Sequence, residues 1–155
     1  MYYPSSNPHP HCQIWACSFL PTEPQSKDNK LKEYYVKYGR SMLDDYVAKE
    51  LIKRERIVIE NPDWLVVVPF WATWPFETMI ISRNGNKRIS DLTTQQINNL
   101  SITIKELTTK YDNLFNCSFP YSMGEFVIFW FFIFETIKNI QFRISWSTNR
   151  GFNKK

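Results

Sequence analysis

The chain has 155 residues, 43% hydrophobic and 17% aromatic with four glycines, a composition that excludes the polar, aromatic-poor signature of disorder and suits one packed domain or part of a larger one. Its formal charge of +4 is interspersed with acidic residues from Lys27 to Arg56 and gathers in Lys53 to Arg56 and in Arg150, Lys154 and Lys155. No basic stripe suited to nucleic acid results, while small phosphate-bearing substrates stay open.

Three cysteines, Cys12, Cys17 and Cys117, form no framework spacing, which favours a reducing compartment over secretion. The start MYYPSSNPHPH lacks the basic region and apolar stretch of a signal peptide. The run FVIFWFFIF, Phe126 to Phe134, is too short for the ~18 apolar residues of a membrane span. No membrane partner is expected, and the sequon at Asn116-Cys117-Ser118 is read as chance.

Residues 5 to 20 alternate and are β-prone around Gln13 to Phe19, with Pro8 and Pro10 pointing to a strand edge. TEPQSKDNK, Thr22 to Lys30, predicts a polar connection. Ser41-Met42-Leu43-Asp44 matches a capping box and Leu43, Tyr46, Val47 and Leu51 recur at helical spacing, predicting a helix from about Ser41 to Lys53. RIVIE, NPD and WLVVVPF, residues 56 to 70, read as strand, turn and strand, and MIIS, Met79 to Ser82, as a third strand closed by the hairpin dipeptide Asn84-Gly85. Thr93 and Gln96 form a second capping box, and Ile97, Leu100, Ile104, Leu107, Tyr111 and Leu114 make one apolar face on a helix from Thr94 to about Phe115. The fold class is therefore α+β, an antiparallel sheet with helices packed on one face. From Glu125 onward the pattern changes to aromatic and isoleucine residues with no recurring face; it reads equally as a buried strand or as sequence not selected to fold.

The two histidines of the chain lie in SSNPHPHCQIWA. On a strand His9, His11 and Gln13 share one face. A neutral imidazole there suits zinc ligation or, as a nucleophile, carriage of a phosphoryl group, and the Gln13 amide can donate to a phosphate oxygen without adding charge. Spacing alone ranks a structural histidine first, a nucleophile second and a metal ligand third, because Cys12 falls on the opposite face and no four-ligand set forms locally.

SNPHPHCQIWA, followed by SFLP, then ERIVIENPDWLVVVPFWATWPFETMIISR and LTTKYDNLFNCSFPYSMG, resemble in the same order the galactose-1-phosphate uridylyltransferase family. It belongs to the histidine-triad superfamily, with glutamine in place of the last triad histidine. The resemblance runs from Ser5 to Gly124. It implies a histidine-triad-like fold and a cytoplasmic enzyme that transfers UMP from UDP-glucose to galactose 1-phosphate by a ping-pong route. His11 would be the catalytic nucleophile, His9 a ligand of a structural zinc whose main-chain carbonyl orients His11, and Gln13 and Ser6 phosphate contacts. It also implies residues 1–40 as the end of a first histidine-triad-like domain, 41–124 as the start of a second, and 125–155 as an unrelated tail.

The family pattern extends beyond the matched region at both ends. Its first half supplies the other zinc ligands and most of the uridine pocket, so the site and fold in this chain are expected to be incomplete. A family glutamate of a second metal site is replaced by Lys27 and its later histidines are absent, so no second metal is expected. EFVIFWFF stands where the family has Trp-His-Gly-Ala-Pro and a histidine-containing strand, which resembles intron read-through. The intact family enzyme is expected to be a homodimer. The alternatives are a non-catalytic truncated chain and a histidine-triad nucleotide hydrolase using His11 with water as acceptor.

Overall fold

The computed structural model describes residues 18–19, 21–85, 89–119, 121–126 and 130–134. The strand expected around Gln13 to Phe19 lies outside them apart from Ser18 and Phe19, which form a bend.

Where a polar connection is predicted, the chain forms a helix, α1 (Thr22–Tyr38), with Pro21 at its N-cap. Pro24 falls in the first turn, where its missing N–H would have had no helical partner. The polar residues then pair along the helix, Lys32 with Asp28 at 2.5 Å and Lys30 with Glu33 at 2.8 Å, spacings each worth roughly 0.2–0.5 kcal/mol. Gly39, at φ 69°, ends the helix in the left-handed region that glycine enters freely.

A second helix, α2 (Met42–Lys53), follows with Ser41 at its N-cap, as its spacing predicts, though the Ser41 side chain makes no capping bond. Asp44 and Asp45 in its first turn complement the helix dipole instead. Asp45 Oδ2 accepts from Tyr34 Oη at 2.7 Å and Arg40 Nε at 2.8 Å, tying α2 to α1.

The predicted strands appear as β1 (Ile57–Glu60), β2 (Trp64–Val67) and β3 (Thr78–Ser82). At the β1–β2 turn, Asn61 Oδ1 accepts from the Asp63 and Trp64 amides at 3.0 and 2.7 Å, the side-chain turn that an Asn-Pro-Asp sequence favours. Asn84-Gly85, with Gly85 at φ 63°, does not lead into a partner strand. The next described element is a 3-10 turn at Ile89–Asp91, and the Thr93–Gln96 capping box then commits the chain to α3 (Thr94–Phe115). Both box bonds form, at 2.9 and 3.2 Å. Two further strands, β4 (Ser122–Phe126) and β5 (Trp130–Phe134), complete an antiparallel sheet of order β1-β2-β3-β5-β4.

The class is α+β, but the helices are divided between both faces rather than laid on one. Ile59, Trp64, Val66 and Ile80 pack with Leu107 and Tyr111 of α3, whereas Leu65, Val67, Met79 and Ile81 pack with Leu43 and Val47 of α2. The cause is local. β2 is apolar at four consecutive positions and strand side chains alternate, so each of its faces must be covered. Trp64, Leu65, Val66 and Val67 are all 0% exposed, and Trp64 Nε1 finds its acceptor in Gln96 O at 2.9 Å.

The two N-caps give a paired prediction. Thr93→Ala removes a formed capping box and should lower unfolding free energy by about 1 kcal/mol, while Ser41→Ala should cost less than half of that; urea midpoints of the two variants measure the difference.

Candidate functional site

Ser6, His9, His11 and Gln13 lie outside the described residues. Among the described residues no three His, Cys, Asp or Glu side chains gather in a group able to hold a metal. Cys117 is exposed. Lys27 is a partly buried residue of α1, and an ammonium donates hydrogen bonds rather than coordinating a cation. The described residues therefore do not assemble a zinc ligand set.

What the structure does assemble is a braced aromatic loop, residues 68–77, between β2 and β3. Phe70, Trp71, Trp74 and Phe76 expose 77, 41, 45 and 44% of their surface. On the α2 side the Phe70 amide donates to Tyr46 Oη at 3.1 Å, and the Tyr46 and Trp71 rings lie 4.8 Å apart. The Arg56 guanidinium sits 5.4 Å from the Phe70 ring centre, a cation–π geometry. Arg56 is itself fixed by Glu50, whose Oε1 accepts from Arg56 Nε at 2.7 Å. Glu50 is completely buried and its Oε2 has no hydrogen-bond partner among the described residues. Burial raises the Tyr46 phenol pKa above its ordinary value.

On the α3 side, Tyr111 Oη donates to Phe76 O at 2.6 Å and lies 3.1 Å from Thr78 Oγ1. The Phe76 ring meets Phe115 edge-on at 4.8 Å. Phe76 has φ 61°, a left-handed conformation costly for a bulky residue. Within the loop, Glu77 Oε2 accepts from the Thr73 and Trp74 amides at 2.9 and 3.2 Å. Val58, Val68, Phe76, Leu107 and Leu114 help line a shallow cleft of about 170 Å³ beside the loop. Aromatic faces and braced amides of this kind can stack and hydrogen-bond; they do not displace a phosphoryl group.

Sequence reading ends β2 at Phe70 and assigns no role to this loop. Its signal is four aromatics within seven positions between Pro69 and Glu77. Glu50 carries no such signal, since its burial depends on Arg56 and on how α2 meets the sheet.

A family profile described as "Galactose-1-phosphate uridyl transferase, C-terminal domain" matches residues 27–127, well over half of the chain. The chain belongs to this family. The aromatic loop at residues 68–77 lies wholly inside the matched region. "Probable galactose-1-phosphate uridylyltransferase" of Drosophila melanogaster is 76% identical over 119 residues, which cover 77% of this chain and 34% of that protein. "Galactose-1-phosphate uridylyltransferase" of Haemophilus influenzae is 53% identical over 119 residues, with the same two coverages. The chain spans about a third of the length of the curated relatives it matches. A solved structure of a uridylyltransferase mutant superposes with a TM-score of 0.67 at 24% identity, covering 76% of this chain and 41% of that one, and this shows the family fold.

Two measurements check the braces. Glu50→Ala should lower unfolding free energy by about 2 kcal/mol, short of the ~3–5 kcal/mol of a fully buried pair because 26% of the Arg56 side chain stays in solvent; Glu50→Gln should cost less than half as much in the same urea titration. Burial raises the Tyr111 pKa, so the folded state holds that proton above pH 10 where the unfolded state releases it. Stability then falls as pH rises through this range, and Tyr111→Phe should flatten the fall while costing about 1 kcal/mol at neutral pH.

Proposed function

We propose that the chain serves uridylyl transfer in galactose metabolism, the Leloir reaction moving UMP from UDP-glucose to galactose 1-phosphate. The observation that carries this reading is the 76% identity over 119 residues to the Drosophila protein named as a probable galactose-1-phosphate uridylyltransferase. In this mechanism an imidazole nitrogen of His11 attacks the α-phosphorus of UDP-glucose. The bond from that phosphorus to the bridging oxygen breaks, and glucose 1-phosphate leaves with the electron pair. A phosphate oxygen of galactose 1-phosphate then attacks the uridylyl-imidazole, expelling His11 and forming UDP-galactose. Gln13 and Ser6 hydrogen-bond the phosphates, and the neutral amide of Gln13 does so without proton transfer.

His9 serves as a ligand of a structural zinc whose contribution is to cross-link the backbone beside the nucleophile. Residues 1–40 close a first histidine-triad-like domain and residues 41–124 begin a second, the family profile itself ending at residue 127. The working enzyme is a cytoplasmic homodimer acting on these sugar nucleotides, not on nucleic acid or membranes. Among the described residues no helix is long and apolar enough to cross a membrane.

The test is a chimaera in which residues Ser5 to Gly124 of this chain replace their counterpart in the Drosophila relative. It should transfer UMP between the two sugar phosphates and give a UMP adduct on His11 by mass spectrometry, and His11→Gly should reduce turnover by at least about a thousandfold. A chimaera that folds but forms neither adduct nor product would sink the proposal. The 155-residue chain alone is expected to give no adduct, because a nucleophile without its nucleotide pocket lacks the positioning that supplies much of the rate.

A further inference from the structure

The family profile ends at residue 127, and the matched region therefore holds β1, β2, β3 and β4 but not β5. Yet β4 does not pair with β3. In the sheet order β1-β2-β3-β5-β4 it is hydrogen-bonded only to β5. Neighbouring strands lie about 4.8 Å apart, so β3 and β4 are separated by two spacings, about 10 Å, that one strand must fill. Met123 of β4 is nonetheless a buried member of the core beneath α3, 4% exposed. Its place is held from the other side of that gap.

We infer that residues 130–134, outside the family match, are an integral strand of this domain that joins β4 to the rest of the sheet, not an appended tail. The register supports this from two sides. β3 pairs Thr78 with Ile133, Met79 with Phe132, Ile80 with Phe131 and Ile81 with Trp130, while β4 independently pairs Met123 with Ile133. Directly opposed residues share a face. Ile80 and Met123 both belong to the α3-side core, and residues 131 and 133 are the β5 backbone positions opposite them. A central strand wants a continuous apolar, β-prone run, and WFFIF, without charge, glycine or proline, meets that requirement. Lacking it, the uncharged TMIIS edge of β3 would present unpaired backbone groups, a template for association between chains.

Hydrogen exchange read by mass spectrometry on the full 155-residue chain tests the inference without any substitution. Amides of residues 130–134 should be protected on the order of a hundredfold or more, as slowly exchanging as those of residues 78–82. Exchange of residues 130–134 at the unstructured rate, with 78–82 still protected, would overturn it. A chain ending at Phe126 gives the second reading: protection at 78–82 and 122–126 should drop together and soluble oligomers should appear, whereas unchanged protection at 78–82 in a monomer would also overturn it.

Discussion

The two-sided burial of the central strands is the constraint on which the remaining architecture depends. Trp64 to Val67 and Thr78 to Ser82 are all at most 5% exposed, although consecutive side chains on a strand point to opposite faces. A sheet with one wet face would have let half of these positions be polar. Here neither face can be left open, so α3 covers one and α2 the other, each contributing a compact set of aliphatic and aromatic residues. At roughly 25 cal/mol per Å² of apolar surface removed from water, each covered face is a main stabilising contribution, and neither helix is dispensable.

That constraint also explains which parts of the fold were legible in the sequence. The extent of α3 was readable because its apolar face repeats every three or four positions and its capping box is a local hydrogen-bond pattern, although Ile97 and Leu114 at the ends of that face are exposed. β1, β2 and β3 were readable from β-branched runs between turn residues. The division of helices over both faces is contained in the unbroken apolar run of Trp64–Val67, yet that run says only that both faces are covered and not by what. α1 escaped because it is held by charge pairs and a glycine stop rather than by an apolar stripe, and its prolines fall where a helix tolerates them. The Ser41 motif located a helix start correctly but not the bond it implies, since a serine at the N-cap position does not compel its hydroxyl to face the free amides.

The candidate chemistry rests on a different kind of reading, since Ser6, His9, His11 and Gln13 lie outside the described residues. Two histidines and a glutamine on alternate positions are compatible with structure, ligation or nucleophilic attack, and only the resemblance of the surrounding segments separated these. The aromatic loop shows in the sequence only as a cluster of four aromatics, because its tethers come from residues distant in sequence. Tyr46 is 24 positions from Phe70 and Tyr111 is 35 from Phe76; no local pattern encodes such distances.

Those two tyrosines show how the sheet's two helical layers converge on one loop. Tyr46, from α2, accepts a main-chain N–H, and Tyr111, from α3, donates to a main-chain carbonyl. A phenol is neutral across the physiological range, and burial moves both groups further from ionisation, so Tyr111 keeps the proton that it donates to Phe76 O. A charged anchor would have required a buried counter-ion, as Glu50 requires Arg56. A left-handed Phe76 costs on the order of 1–3 kcal/mol, and its carbonyl bond at 2.6 Å and ring contact at 4.8 Å with Phe115 offset that cost only if α3 stays seated on the sheet. The strained loop conformation therefore depends on the same two-sided packing that organises the core: loosening α3 would release Phe76, and loosening α2 would release Phe70 and Trp71 from the opposite end. Both layers hold the loop, and the contacts that fix its backbone also set the placement of its exposed rings.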